Sequence, residues 1–500
     1  MQNFSTIHEA LCSHAKTIPD KIAIIEAETE RKCSYGELWT KIKNFTQKLV
    51  DAGVKQDAGD GYGTRVVIRC AQAINYVISI LAVQLAGGVF VPVEKNIAED
   101  RIKEIMEEVD SNILIAVKPL SGYDYTYFPL YTASEDNGDI DDVTIIFPKP
   151  ESLAIILYTT GTTGRSKGVM HTHKSFSTYF LNIFSKIDHD SEQTWLIPSP
   201  LSHTNGLNRI LISLYNKCTA VLLDGYAFPK LFFQAVIKYN VTILNFIAST
   251  SEYYLKSCEK NFKEISEKIN YILLGTSSIN RDQIAAFREL FPGCKKIIQT
   301  YGGTEIIGYY IDHKKNINTL KSFCVGIPFE DTKIAFFDEN KENIINATME
   351  NPGLFAMSNN SMMKGYWKNP ELTKSVTRGD FIVLSDLGYE GEDGLYYFLS
   401  RADDIIISGG YKIAPLEIEE IANCFKGIKE SVCIPVKDPL MGHVPKLYVV
   451  MEENYVFKKM EISRYLQSRL EMTRVPRYIE EIKEIPKINN KINRKELREL

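Results

Sequence analysis

Between residues 150 and 305, short apolar β-branched runs alternate with amphipathic stretches, and this alternation constrains the fold more than any other feature of the chain. "LAIILY" (153–158), "TWLIPSP" (194–200), "TAVLLD" (219–224), "VTILNFI" (241–247), "INYILLGTSS" (269–278) and "KIIQTYGG" (296–303) read as strands. "KSFSTYFLNIFSKI" (174–187), "LNRILISLYNK" (207–217), "FPKLFFQAVIKYN" (228–240) and "RDQIAAFRELF" (281–291) have helical spacing. Strands that alternate with helices predict a parallel α/β sheet. Such sheets bind ligands beyond the carboxyl ends of their strands. Three polar segments follow predicted strands directly: "YTTGTTGRSKG" (158–168), "GTSS" (275–278) and "YGGTE" (301–305). They are expected to converge on one site.

After about residue 320 the pattern shortens. "TKIAFFDE", "GLFAMSN" and "LYYFLSRADDIIIS" resemble hairpin strands, and "EGEDG" (390–394) is a strong turn signal. A small α+β unit follows, with helices expected at 415–425 and 459–470 and strands at 431–436 and 446–452. A chain of 500 residues exceeds one ordinary core. We expect a boundary near residue 400: residues 1–401 as an N-terminal domain of doubly wound sheets plus a β-rich subdomain, and residues 402–500 as a small mobile α+β domain.

Composition limits the function. The net charge is −5, with no long basic run, which speaks against a nucleic-acid surface. Nine dispersed cysteines without a CxxC pair fit reduced thiols and a cytoplasmic protein. The N-terminus lacks a basic segment leading into an apolar run, so no signal peptide is expected. Val77–Val93 contains Gln84 and a Gly-Gly pair, and reads as a buried helix turning into a strand rather than a membrane span.

The loop at 158–168 packs glycines, hydroxyls and cations together. Backbone N–H groups in a glycine-rich turn can cradle an oxyanion, with hydroxyls and Lys167 adding donors and charge. It is not a Walker A loop, because Ser166 stands where glycine is required and Gly168 follows Lys167. It is not GxGxxG either, because Thr162 and Thr163 follow Gly161.

The wording resembles the adenylate-forming superfamily of acyl-CoA synthetases, peptide-synthetase adenylation domains and firefly-type luciferases. Its loop reads approximately [ST]-[ST]-G-T-T-G-x-P-K-G, and here Ser166 replaces the proline. Further motifs occur in the family's order: "LAVQLAGGVFVPVE" (81–94), "PLSHTNG" (200–206), "YGGTE" (301–305), "SDLG" (385–388), "SRADDIIISGGYKIAPLEIE" (400–419) and "PKINNKINRKEL" (486–497). Two more departures are Ser400 and Asn490, where glycine is usual. The resemblance spans nearly the whole chain and is closest to the AMP-forming acyl-CoA synthetase branch.

The resemblance implies two half-reactions: a carboxylate attacks the α-phosphorus of ATP to give an acyl-adenylate and pyrophosphate, and a thiol then displaces AMP. It implies that Thr159, Thr160, Gly161, Thr162, Thr163, Gly164 and Lys167 hold phosphates. Glu305 would ligate Mg²⁺, and Tyr301, Gly302, Thr304, Gly275, Thr276 and Ser277 would line the nucleotide site. Asp386 and Arg401 would grip the ribose, with a hairpin-end ion pair as the competing reading of Arg401. Lys491 would be the catalytic lysine and Asp403 the hinge. Gly409, Gly410 and Lys412 would line the thiol tunnel. His203 would either border the acyl pocket, with a catalytic or gating role, or be a packed polar histidine. His171 and His173 read as structural, not as a metal pair.

The remaining acyl-pocket candidates are Thr204, Asn205, Asn208, Ile247, Ala248, Ser249, Thr250 and Thr276. Amino-acid-activating relatives usually place an Asp soon after the "PLSHTNG" position, and none occurs here before Asp224, which disfavours an amino acid. A short or medium acyl acid or an aryl acid fits. "IISGGYKIAPLEIE" favours coenzyme A as acceptor. The alternatives are a phosphopantetheinyl carrier protein, or a non-catalytic ATP- or adenylate-binding relative, against which Lys491, Glu305 and Asp386 argue.

Overall fold

The computed structural model of the protein describes residues 4–130, 146–159, 166–187, 191–275, 281–314, 323–409, 411–488 and 491–499. Thr160, Gly161, Thr162, Thr163, Gly164, Thr276, Ser277, Gly410 and Asn490 lie outside the described residues, as do the side chains of Ala248, Ser249, Lys412 and Lys491.

The chain packs as two units, one formed mainly by residues 1–319 with 358–382, the other by 334–357 and 383–500. In the first, chain order is α1 (Ile7–Thr17), β1 (Ile22–Glu26), β2 (Lys32–Ser34), α2 (Tyr35–Asp51), β3 (Arg65–Arg69), α3 (Ile74–Leu85), β4 (Val89–Val93), α4 (Glu99–Glu108), β5 (Ile113–Ala116) and β6 (Thr126–Pro129). There follow β7 (Leu153–Thr159), β8 (Lys167–Thr172), α5 (His173–Phe184), β9 (Thr194–Ile197), α6 (Thr204–Tyr215), β10 (Thr219–Leu222) and α7 (Pro229–Lys238). The series ends with β11 (Ile243–Ile247), α8 (Ala248–Ser257), α9 (Glu259–Ile265), β12 (Tyr271–Gly275), α10 (Arg281–Leu290), β13 (Lys296–Gly302) and β14 (Ile307–Asp312).

These strands form two sheets, not one. The first has the order β8-β7-β4-β3-β5-β6, with the short strand Gly365–Tyr366 outside β8. The second has the order β14-β13-β12-β11-β9-β10-β1-β2. Most neighbours are parallel, while β7–β8, β13–β14 and β1–β2 are antiparallel. The phosphate-type loop therefore joins two paired strands, not a strand and a helix as its position before "KSFSTYF" suggested. "KGVMHT" pairs back on β7 because its residues bury almost throughout.

One core fills the space between the two sheets. Ile68, Phe90, Ile155 and Leu157 reach it from the first sheet, Trp195, Ile197, Leu222 and Leu273 from the second, and α1, α2, α3, α5 and α6 lie between them. Residues one step along the second sheet, such as Leu196, Val221, Leu244 and Ile272, point the other way onto α7–α10. This alternation is the period-2 pattern of a strand buried on both faces. Val77–Val93 is α3 running into β4, buried almost throughout, and among the described residues no helix is long and apolar enough to cross a membrane. Local capping starts two of these helices: Ser34 and Glu37 form a capping box on α2, and Thr172 with Ser175 does so on α5.

Among its described residues the second unit holds two larger sets of paired strands and a two-stranded pair, Lys487–Ile488 with Lys491–Ile492. Strands Lys333–Phe337, Gly353–Ser358, Phe381–Glu390, Tyr396–Arg401 and Cys324–Pro328 follow one another in the first. The "EGEDG" turn joins its central hairpin, with Gly394 at φ +71°. In the second, Tyr411–Ile413, Ile406–Ser408, Gly442–Met451 and Ile428–Asp438 pair in that order. Helices Pro415–Asn423 and Lys459–Gln467 cover it around Ile418, Ile462 and Leu466.

Candidate active site

The site in the first unit is built where strands of its two sheets end. Thr159 and Lys167 are Cα partners that close the β7–β8 hairpin below the glycine loop. Gly168 sits so tightly that an added Cβ would lie 2.8 Å from Ile156 Cγ2. Thr159 Oγ1 is buried with no hydrogen-bond partner among the described residues. From the second sheet, β13 ends at Gly302, where a Cβ would come 2.4 Å from Ile306 O. Only glycine fits there, and the Gly303 N–H donates to the same carbonyl at 2.8 Å, folding the "YGGTE" turn.

Lys167 bridges the two sheets' turns. Its Nζ lies 3.1 Å from Glu305 Oε1 and donates to Tyr366 OH at 2.8 Å, and that hydroxyl donates to Glu305 Oε1 at 2.7 Å. Burial alone would push the Glu305 carboxyl up. The Lys167 charge and the Tyr366 hydroxyl together outweigh it and hold the group below the usual carboxylate range. Glu305 is thus ionised at neutral pH. Beside it, His171 Nε2 is 2.7 Å from Thr304 O, a contact that requires the N–H on that nitrogen, and Nδ1 faces Ser175 Oγ at 3.1 Å. Burial lowers the His171 pKa to about 4, so the ring is a neutral strut holding the turn. His173 is also buried and lowered, to about 3, and rings with His8 edge-to-face at 5.9 Å. Both rings are buried in the packing of the first unit.

Glu305 does not belong to a preformed metal cluster: among the described residues no group of three or more His, Cys, Asp or Glu could hold a metal. A single ionised carboxylate fits a Mg²⁺ ion whose other ligands are phosphate oxygens and water. The orphaned Thr159 hydroxyl and the glycine-lined turns fit the phosphates themselves. Tyr301 is half-buried on β13, edge-on to Tyr309 at 5.9 Å. Gly275 closes β12, next to β13 in the sheet.

"PLSHTNG" forms the start of α6. Gly206 lies against the preceding strand end, where a Cβ would meet Pro200 O at 2.3 Å and Ser199 O at 2.4 Å. His203 is the N-cap residue without a side-chain cap bond. Its Nε2 lies 3.4 Å from Glu94 Oε1 and the ring is half exposed, so it is not a packed core histidine. Asn205 Nδ2 donates to Ser199 Oγ at 3.2 Å, and Asn208 is buried with Oδ1 unpartnered among the described residues. Ile247 ends β11 half-buried, and its carbonyl accepts from Thr250 Oγ1 at 2.9 Å.

In the second unit Asp386 and Arg401 are cross-strand partners, with Arg401 Nε 3.6 Å from Asp386 Oδ1. They do form the hairpin-end pair. Asp403 lies in the turn Ala402–Asp404, and its carbonyl accepts from Arg498 at 3.1 Å. Gly409 has φ +56° and donates its N–H to Met441 O at 2.9 Å. Lys412 lies on the strand Tyr411–Ile413, and Lys491 on a two-residue strand paired with Lys487–Ile488.

Sequence reasoning missed Tyr366. The signal lay in "MKGYW", a phrase outside every quoted motif, and the residue meets Lys167 from 199 positions away. It also missed Tyr179, whose hydroxyl donates to Gly303 O at 3.3 Å, and Arg209 on α6.

Residues 12–367 match the family model described as AMP-binding enzyme, and residues 417–491 match its C-terminal domain. A 2-succinylbenzoate–CoA ligase from Geobacillus sp. (strain WCH70) is 24% identical over 99% of this chain and 98% of its own. A long-chain-fatty-acid–CoA ligase from Bacillus subtilis (strain 168) is 27% identical over 96% of this chain and 92% of its own. The crystal structure of ATP-bound MatB from Rhodopseudomonas palustris superimposes with a TM-score of 0.87 at 21% identity, covering 99% and 98% of the two chains. With a family model over most of its length and the Lys167–Glu305 turn pair in place, the chain belongs to the AMP-binding enzymes, in the acyl-CoA synthetase branch of the adenylate-forming superfamily.

Proposed function

We propose that the protein activates a small carboxylic acid as its acyl-adenylate, releasing pyrophosphate, and passes the acyl group to the thiol of coenzyme A. The observation that carries this reading is the Lys167–Glu305–Tyr366 network, which joins the glycine loop to the "YGGTE" turn. A cation and an ionised carboxylate held at the mouths of two glycine turns suit a polyphosphate and its metal ion. The full-length CoA-ligase relatives support the acceptor.

In this reading Lys167 and the loop from Thr159 to Gly164 bind the triphosphate, and Asp386 with Arg401 the ribose. Mg²⁺ held by Glu305 would neutralise phosphate charge as it develops. Tyr366 and His171 keep the Glu305 turn in place. Lys491 offsets the repulsion between the incoming carboxylate and the α-phosphate, an interaction that strengthens toward the transition state. Residues 1–401 and 402–500 act as domain and lid. Rotation about Asp403 then exchanges Lys491 for the face carrying Gly409, Gly410 and Lys412, where a pantetheine arm approaches.

The test is pyrophosphate exchange across a panel of acyl and aryl acids, followed by thioester formation with coenzyme A. Exchange and CoA thioester formation with the same acid are expected. Exchange without CoA turnover would point to a carrier protein, and no exchange with any acid would overturn catalysis.

A further inference from the structure

Arg209 sits on α6 one turn after Asn205, so the two share a helix face in the wall assigned to the acyl pocket. It is only 3% exposed, yet its Nε and Nη1 are buried without a hydrogen-bond partner among the described residues. A guanidinium carries five donors, and a buried charge left unpaired is a costly arrangement that folds rarely keep.

Among the described residues no carboxylate forms an ion pair with it, and only two phenols act on its charge. The groups that act on it are Tyr179 from α5 and Tyr226 from the segment after β10. Burial raises both phenols, Tyr179 to about 12 and Tyr226 further, so both are neutral at pH 7. Their hydroxyls are committed elsewhere. Tyr179 donates to Gly303 O at 3.3 Å, while Tyr226 donates to Asn245 O at 3.0 Å and lies 3.1 Å from Ser199 Oγ. Burial lowers Arg209 only to about 10, which leaves it charged. The two phenols that act on the cation are tied, one to the "YGGTE" turn and the other to the strand end that Asn205 also contacts.

We propose that Arg209 receives a second carboxylate carried by the substrate, so that the acid activated is a dicarboxylic acid, adenylated at one end and held by Arg209 at the other. This rests on the adenylation reading above. An acceptor-only, planar carboxylate matches the guanidinium's free donors. A site built around such a pairing discriminates strongly against an analogue that lacks the group, because its own buried donors are then left unpaired.

The experiment compares straight-chain and aryl monocarboxylic acids with dicarboxylic acids of matched length and with their monomethyl esters. Full-length wild type, Arg209→Met and Arg209→Lys are measured by pyrophosphate exchange, and acid binding is measured by calorimetry with and without a non-hydrolysable ATP analogue. One dicarboxylic acid should exceed its monocarboxylic and monoester analogues by about 100-fold or more in kcat/KM. That ratio should fall at least about 50-fold in Arg209→Met and recover in part in Arg209→Lys. A wild type that prefers monocarboxylic acids, or a variant that loses activity equally on all acids, overturns the proposal while leaving adenylation standing. Arg209-dependent binding of a dicarboxylic acid without exchange sustains the proposal and overturns adenylation. Neither binding nor exchange overturns both. Should the variants not fold, as judged by circular dichroism, the monoester penalty in wild type decides alone.

Discussion

Lys167 Nζ and Glu305 Oε1 meet at 3.1 Å, and this pair ties the hairpin turn of one sheet to a strand end of the other. It sets the ionisation of Glu305. With the pair intact the carboxyl is held below its ordinary 4.5, so its stabilising charge is present above that pH and is lost as the pH falls through the lowered value. In Lys167→Met burial dominates, and the carboxyl pKa should rise. Carbon-13 NMR of labelled glutamate across pH 3 to 7 reads this directly, and an unchanged titration would show that another group holds the charge.

Tyr366 shares its hydroxyl with both partners. Tyr366→Phe removes a hydrogen bond to an ion, worth about 1.5–3 kcal/mol. We expect pyrophosphate exchange to slow by roughly 10- to 100-fold, with a raised Mg²⁺ requirement, in a protein whose melting is little altered. Unchanged Mg²⁺ dependence would remove Tyr366 from the site.

The two half-reactions should separate genetically. Lys491→Ala should lower adenylation by about 100-fold or more while ATP affinity stays nearly constant, because the interaction acts mainly in the transition state. Asp403→Pro should leave exchange intact and block thioester formation, since a hinge absorbs backbone rotation. Normal exchange in the first, or loss of both steps in the second, would count against these roles.

Gly206 has no room for a side chain. Gly206→Ala drives a Cβ to within 2.3 Å of Pro200 O, and overpacking of this kind costs about 1–3 kcal/mol. The midpoint of denaturant unfolding should fall, and acid binding should weaken with it, as α6 shifts.

Among the described residues, five buried histidines predict an acid-side loss of stability. Burial lowers His8, His14, His171 and His313 to about 4 and His173 to about 3. Unfolding restores their ordinary value of 6.5, so below that pH the unfolded chain takes up protons that the folded chain refuses. Thermal unfolding should therefore move to lower temperature from pH 6.5 down toward 4, and stay flat for these groups above 7. His171→Asn should reduce the slope.

Elements and motifs were legible in the sequence to different depths. Strand runs such as 153–158 and 296–303 appear within a residue or so, because burial on both faces leaves an unbroken apolar word. The convergence of the glycine loop and "YGGTE" was readable from the rule that sites lie at strand ends. The division of these strands between two sheets was not, since pairing is decided by contacts far apart in sequence. "KGVMHT" had the residues of a strand but lay hidden behind a loop that pointed to a helix. Tyr366 and Arg209 were opaque for the same reason. A tyrosine in a polar phrase or an arginine in a helix reads as surface until packing shows otherwise.

The unpaired guanidinium of Arg209 has a consequence for the protein without its substrate. Under the dicarboxylate proposal, a charge buried for a ligand weakens the empty fold, and the pocket would be an evolutionary liability kept for selectivity. Replacing Arg209 with an apolar residue of similar length is then a route to a hardier scaffold. Under the same proposal that change would open the enzyme to other acids, so robustness and choosiness would pull against each other at one side chain.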